Sequence, residues 1–418
     1  MTGSRRSTYP WAFKARFRRS AFGWRGDRLA IGRIQEALSE INTVARHDPA
    51  AAADGAVLFL EKLSPALCQV DGSSGALSQA ARDAVDMLAP LIAQAPVDEA
   101  QRRRWLDRLY EAIREDDPPY IETLGDHWGD LCATEALASA WADHLLPTLR
   151  SVLDAKRKGS YAFFSGTSLC YSALFKAGRH DEILALLAQD GKTIWPYLVW
   201  GGRVLAARGQ IDAAIDYVTD PSGITRNDYQ VAWFAEELLL KAGRRQEAFD
   251  RYALLANQAH THLATYRALT KKYPEIPASE LLERLVASTP ATPGKWFATA
   301  KTLKLYEEAT RLAWASPCDP KTLLRAARDH LAKQPAFAME SALAALHWMA
   351  QGHGYELTTS EPVQALQLAN EAAAACHQAQ RVQAVIEEVM NKPGRAAKWV
   401  REALEWSMHR TTSTHPSP

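Results

Sequence analysis

Three glycines constrain this chain more than any other feature. Gly178, Gly209 and Gly243 each close one apolar-periodic segment and open the next, in the strings KAGRHDEI, AARGQIDAAI and KAGRRQEAF. They lie 31 and 34 residues apart, and a related string without the glycine, LKLYEEA, places Lys304 another 61 residues on, close to two further periods. A repeat of that length cannot bury its apolar faces one unit at a time, so it must stack helix pairs on one another. The expected fold is all-α, a solenoid of antiparallel helix pairs with no sheet.

Glycine adopts the left-handed conformation that closes a helix without a steric cost, and a neighbouring Arg or Lys suits the negative end of the helix dipole. Acids and acceptors follow at once, Asp181 and Glu182, Asp212, Gln246 and Glu247, Glu307 and Glu308, where the next helix presents unpaired N–H groups. Apolar or small residues then recur on one face: Ile183, Leu186 and Leu187; Ala214, Ile215 and Val218; Ala248, Phe249 and Tyr252; Ala309, Leu312 and Ala313. From about 165 to 315 the chain resembles tetratricopeptide-like hairpins. With Gly243 as that family's turn glycine, Ala248 and Tyr252 fall on its small and aromatic packing positions, while its closing proline and the Trp and Leu of its first helix are not at the family spacing. The chain as a whole resembles uncharacterised bacterial helical-repeat families through WAFKARFRRSAFGW, FLEKLSPALCQVDGSSGAL, PYIETLGDHWGDLCAT and SPCDPKTLLRAARD. That resemblance implies a bacterial, cytoplasmic origin and no activity, while a solenoid is expected to act as a scaffold for protein partners.

Further helix signals lie outside the repeat. Asp48-Pro49 and Asp319-Pro320 each place a capping acceptor before a proline at the first helical position. Asp98 and Thr134 are positioned to cap the helices carrying Trp105 to Ile113 and Leu137 to Leu146, with Pro147 expected to kink or interrupt the second. Residues 278–350 read as four helices separated by Pro or Gly turns, and Gly72 to Gly75 as a flexible loop. The organisation expected is an N-terminal arm (1–33), a helical region (34–150), the repeats (151–350), a C-terminal helical cap (351–410) and a disordered tail (411–418).

The arm is the second informative feature. It holds nine basic residues, Arg5, Arg6, Lys14, Arg16, Arg18, Arg19, Arg25, Arg28 and Arg33, against Asp27 alone; that is +8 in a chain of net charge +1, so the remainder carries −7. Tyr9, Trp11, Phe13, Phe17, Phe22 and Trp24 are interleaved with them. On a helix, Phe13, Phe17, Ala21 and Trp24 would form one apolar face. Three readings compete. The arm could bind nucleic acid through Arg16, Arg18, Arg19, Trp24 and Arg25, lie on an anionic membrane or act as a targeting peptide, or cap the first helices with its aromatics. For the last reading the acids between Trp105 and Asp130 are the expected docking partners, eight of them against Arg108 and Arg114.

Catalytic chemistry finds little footing. Gly191-Lys192-Thr193 imitates the end of a phosphate-binding loop, but Leu186 occupies the place of its first glycine. His260 and His262 diverge by about 200 degrees on a helix and have no further ligands at zinc spacing. Asp126-His127 and Asp116-Asp117 supply titratable groups without a nucleophile or an oxyanion loop, and His347, His353 and Tyr355 read as a helix end. Five dispersed cysteines suit reduced thiols, and no apolar run reaches the roughly 18 residues of a membrane span. The expectation is a non-enzyme without cofactor or metal. Most of the thirteen tryptophans should be core anchors. The preferred partner-binding site is Trp195, Tyr197, Trp200 and Arg203, where Pro196 and Gly201-Gly202 are expected to open the packing.

Overall fold

The computed structural model describes residues 9–160, 162–190, 194–219 and 228–412, with side chains described to 406. The imitation phosphate loop at 191–193, Arg5, Arg6 and the tail from 413 onward lie outside these residues. Among the described residues every regular element is helical and none is a strand. The chain forms two compact units, Met1–Phe234 and Ala235–Pro418, and the division falls inside helix Asp228–Lys241.

In the first unit consecutive helices alternate between two layers. Asp27–Ala45, Ala76–Ala93, Trp128–Cys132, Thr167–Lys176 and Trp195–Ala207 follow one another in one layer; Pro49–Leu67, Glu99–Arg114, Glu135–Arg157, His180–Asp190 and Ile211–Thr219 form the other. Most helices pack on their successors, and each helix of the first layer packs on the next in that layer, the arrangement of an α-solenoid. The second unit packs helices Tyr306–Ala315, Pro320–His330, Pro335–Ala350 and Ser360–Cys376 around one apolar core. Helix Pro335–Ala350 is apolar almost all round, and its burial among several neighbours follows from that.

The turns behave as the repeat demands. Gly178, Gly209 and Gly243 have φ of 70°, 76° and 75°, and the residue after each donates its N–H five residues back, Arg179 to Leu174, Gln210 to Leu205 and Arg244 to Leu239. Lys304 does the same without being glycine: its φ is 60°, and Leu305 N–H reaches the Ala300 carbonyl at 3.0 Å. The turn splits the segment read as one helix into Phe297–Thr302 and Tyr306–Ala315. Asp48, Asp98, Thr134 and Asp319 all cap helices through their side chains. Pro147 does not end its helix, which continues to Arg157.

Candidate functional site

Helix Trp195–Ala207 starts with Pro196 in its first turn and carries all four residues singled out as a partner site. They do not form one exposed face. Trp200 is 2% exposed, with its ring 5.7 Å from Phe175. Trp195 and Tyr197 are half-buried, near Phe234 at 6.3 Å and Tyr171 at 6.0 Å. Gly201 and Gly202 close the packing where they were expected to open it. A Cβ on Gly201 would overlap the Tyr217 ring and one on Gly202 would press on Val218, so the absent side chains let the next helix approach.

Arg203, on the same helix, is half-buried with its guanidinium 4.3 Å from the Trp200 ring. No hydrogen bond or ion pair holds it among the described residues; burial lowers its pKa, and the charges of Asp126 and Asp130 act in the opposite direction. Asp126 belongs to the 3₁₀ turn Glu122–His127, which packs on helix Thr167–Lys176. Burial raises its pKa above the ordinary 3.8, against the pull of Arg203. Desolvation also raises the pKa of Glu122, and the neighbouring Asp116 and Asp126 add to it. Four buried polar atoms meet no hydrogen-bond partner here: Thr123 Oγ1, Asp126 Oδ1, Tyr171 OH and Trp200 Nε1. Buried polar groups are satisfied in the great majority of cases. Unused capacity on three neighbouring elements of one layer, beside a guanidinium with no acceptor, is therefore a local departure that sequence reading did not foresee for Asp126, Thr123 or Tyr171.

The arm takes the capping geometry by a route that differs from the one expected. Between Trp11 and Trp24 only Phe13–Arg16 is helical, so the apolar face through Trp24 does not form. Trp11, Phe13, Phe17 and Phe22 are buried, the first three against helix Pro49–Leu67, with the Phe59 ring 5.5 Å from Phe13 and 5.0 Å from Phe17. Gly55 makes room for Trp11, whose indole occupies the space a Cβ would need. The acids that hold the arm are Glu40, which accepts from the Ala12 and Phe13 N–H groups at 2.8 and 3.2 Å, and Glu36, paired with Arg16 and Arg33. Both are on helix Asp27–Ala45. The acidic stretch is used elsewhere: Asp116 accepts from the N–H groups of Tyr120 and Ile121, and Glu111 pairs with Arg114. Arg18, Arg19, Arg25 and Trp24 remain exposed.

Other candidates separate into ordinary structure. His260 and His262 line one cavity of about 310 Å³ together with Cys318 and Asp319, yet no group of three His, Cys, Asp or Glu among the described residues is arranged to hold a metal. His262 packs edge-on to Trp296 at 4.6 Å, and desolvation lowers its pKa. His347 lies in the last turn of helix Pro335–Ala350, which ends before Gly352, and Tyr355 is exposed. All five cysteines are free, and burial pushes Cys132, Cys170 and Cys318 up to about 12. No helix among the described residues is long and apolar enough to cross a membrane. No protein-family model matches the chain, and no curated protein or solved structure is significantly similar to it.

Proposed function

We propose that this protein is a non-enzymatic helical-repeat scaffold, of the tetratricopeptide-like and bacterial cytoplasmic kind its sequence resembles, that binds a polypeptide partner on the layer containing helices Thr167–Lys176 and Trp195–Ala207. The observation that supports the reading is Arg203, a half-buried guanidinium with no acceptor, which lies over Trp200, whose Nε1 is unpartnered, and within electrostatic reach of Asp126. Its donors lie idle in surroundings where an unmet hydrogen bond is expensive. A polypeptide main chain brings carbonyls for Arg203 and N–H groups for Asp126 alternately along its length, which matches a mixed cluster better than a ligand of single charge does.

The test is selection of displayed twelve-residue peptides on the full chain, followed by anisotropy titration of the enriched peptides. Binding should weaken at least tenfold in a Tyr197→Ala, Arg203→Gln variant whose melting curve stays cooperative. Failure to enrich any peptide over a blank surface, or equal binding by wild type and variant, removes the reading.

A further inference from the structure

The exposed part of the arm forms a second surface, independent of the Arg203 site. We infer that the segment from Arg18 to Leu29, a loop and the start of helix Asp27–Ala45, binds single-stranded nucleic acid, with its arginines on the phosphates and Trp24 stacked on a base.

The loop is built to hold its shape. Phe17 and Phe22 are buried with their rings 5.6 Å apart, so the residues between and beside them stay close together. Its backbone is tied to the end of helix Pro49–Leu67 and the turn beyond: Ser20 N–H donates to the Pro65 carbonyl at 2.8 Å, and the Trp24 carbonyl accepts from Asp71 N–H at 2.9 Å. On this support Arg18, Arg19, Arg25 and Arg28 are all exposed, and none has an ion-pair partner among the described residues. The contrast with Arg16 and Arg33 is informative, because those two arm arginines are paired with Glu36. Asp27 is the single acid in the segment, and Asp71 beside it is occupied by the Ser73 N–H. Trp24 is 67% exposed, whereas the other aromatics from Trp11 to Phe22 are buried.

That division of the aromatics selects the partner. A membrane surface calls for an amphipathic helix with several apolar side chains on one face. Here the aromatics that would supply the face are spent in the fold, the helix ends at Arg16, and Trp24 and Leu29 are what remains. Unpaired guanidinium groups around one exposed indole instead match phosphates spaced along a strand with a base between them.

The experiment titrates the full chain into fluorescein-labelled dT20 and rU20 between 50 and 300 mM salt, with vesicles of phosphatidylcholine and phosphatidylglycerol in parallel. Neutralising four phosphates gives a log affinity against log salt slope of about −3 for a single strand. The Arg18→Gln, Arg19→Gln, Arg25→Gln, Arg28→Gln variant should lose at least tenfold in affinity at 50 mM salt with an unchanged melting curve. Trp24→Ala should weaken binding about tenfold at the same slope. No oligonucleotide binding at 50 mM salt, binding that survives the fourfold variant, or binding to vesicles alone overturns the inference. Because none of these substitutions touches Tyr197, Arg203 or Asp126, its failure leaves the peptide-binding test unaffected.

Discussion

A polar cluster in the second unit and one in the first are built on opposite principles. In the second unit Glu236 is fully buried, and its carboxylate is saturated: Oε1 accepts from Asn257 Nδ2 at 2.8 Å and Tyr273 OH at 2.6 Å, and Oε2 from Lys272 Nζ at 2.7 Å. Lys272 also reaches Glu237 at 2.8 Å. Burial works against the lysine's charge, yet the hydrogen bonds to both carboxylates raise its pKa overall. In the first unit Arg203 lies over Trp200 and within electrostatic reach of Asp126, while Asp126 Oδ1, Trp200 Nε1 and the Tyr171 hydroxyl of the neighbouring helix have no hydrogen-bond partner. A completed network fixes a unique packing, whereas an incomplete one keeps interaction capacity in reserve. On the proposed reading the Glu236 cluster serves the architecture and the Asp126 cluster serves a partner.

Removing a member of each cluster tests that assignment, and the largest effect belongs to Glu236. Glu236→Ala strands Lys272 and Tyr273 without their main acceptor and should cost about 3–5 kcal/mol in urea denaturation, the range for a broken buried ion pair. A loss below about 1 kcal/mol would end the architectural reading. The two tyrosines give a cleaner, smaller contrast. Tyr273→Phe deletes a 2.6 Å hydrogen bond to a buried carboxylate and should cost about 1.5–3 kcal/mol. Tyr171→Phe deletes a hydroxyl with no partner and should leave stability unchanged or slightly higher. Equal losses at the two positions would show that the Tyr171 hydroxyl is satisfied in solution and would break the comparison.

The regular features were legible in the sequence because they are local. A helix closed by Gly and opened by acids needs only eight residues to be recognised, so the turns at 178, 209 and 243 could be read directly, and the string around Lys304 pointed to another inside a segment otherwise read as one helix. Lys304 shows how far such reading goes: the surrounding string located the turn, and the structure places a non-glycine at φ of 60° there despite the Cβ strain. The caps at Asp48, Asp98, Thr134 and Asp319 were equally local. What could not be read depends on partners distant in sequence. Gly55 gives no hint that Trp11 will lie over it, and Glu36 and Glu40 sit in an ordinary amphipathic helix with nothing to mark them as the acids that hold the arm. Asp126 was visible as a titratable residue and Arg203 as part of an aromatic segment. Their 77-residue separation concealed their proximity, and the orphaned Tyr171 hydroxyl has no sequence signature at all.

The smallest effect is also the most specific, because it turns on the sign of a pH dependence. Burial raises the Asp126 pKa in the folded chain above the ordinary 3.8, so between those two values the native state keeps a proton that the unfolded chain has released. Stability from this group therefore falls as pH rises through that window, and above the folded pKa the full penalty of an under-compensated carboxylate is present. Asp126→Asn removes the charge while keeping the shape, so the variant should be more stable than wild type at pH 7. The gap should narrow as pH falls toward 4. Parallel melting curves at pH 7, 6, 5 and 4.5 measure it. A variant less stable at pH 7, with the gap closing on acidification, would mean that Asp126 is paired in solution as firmly as Glu236, and that its cluster belongs to the architecture. The predicted sign, joined to lost peptide binding in the same variant, would instead identify Asp126 as a group kept at some cost to the fold for the sake of a partner.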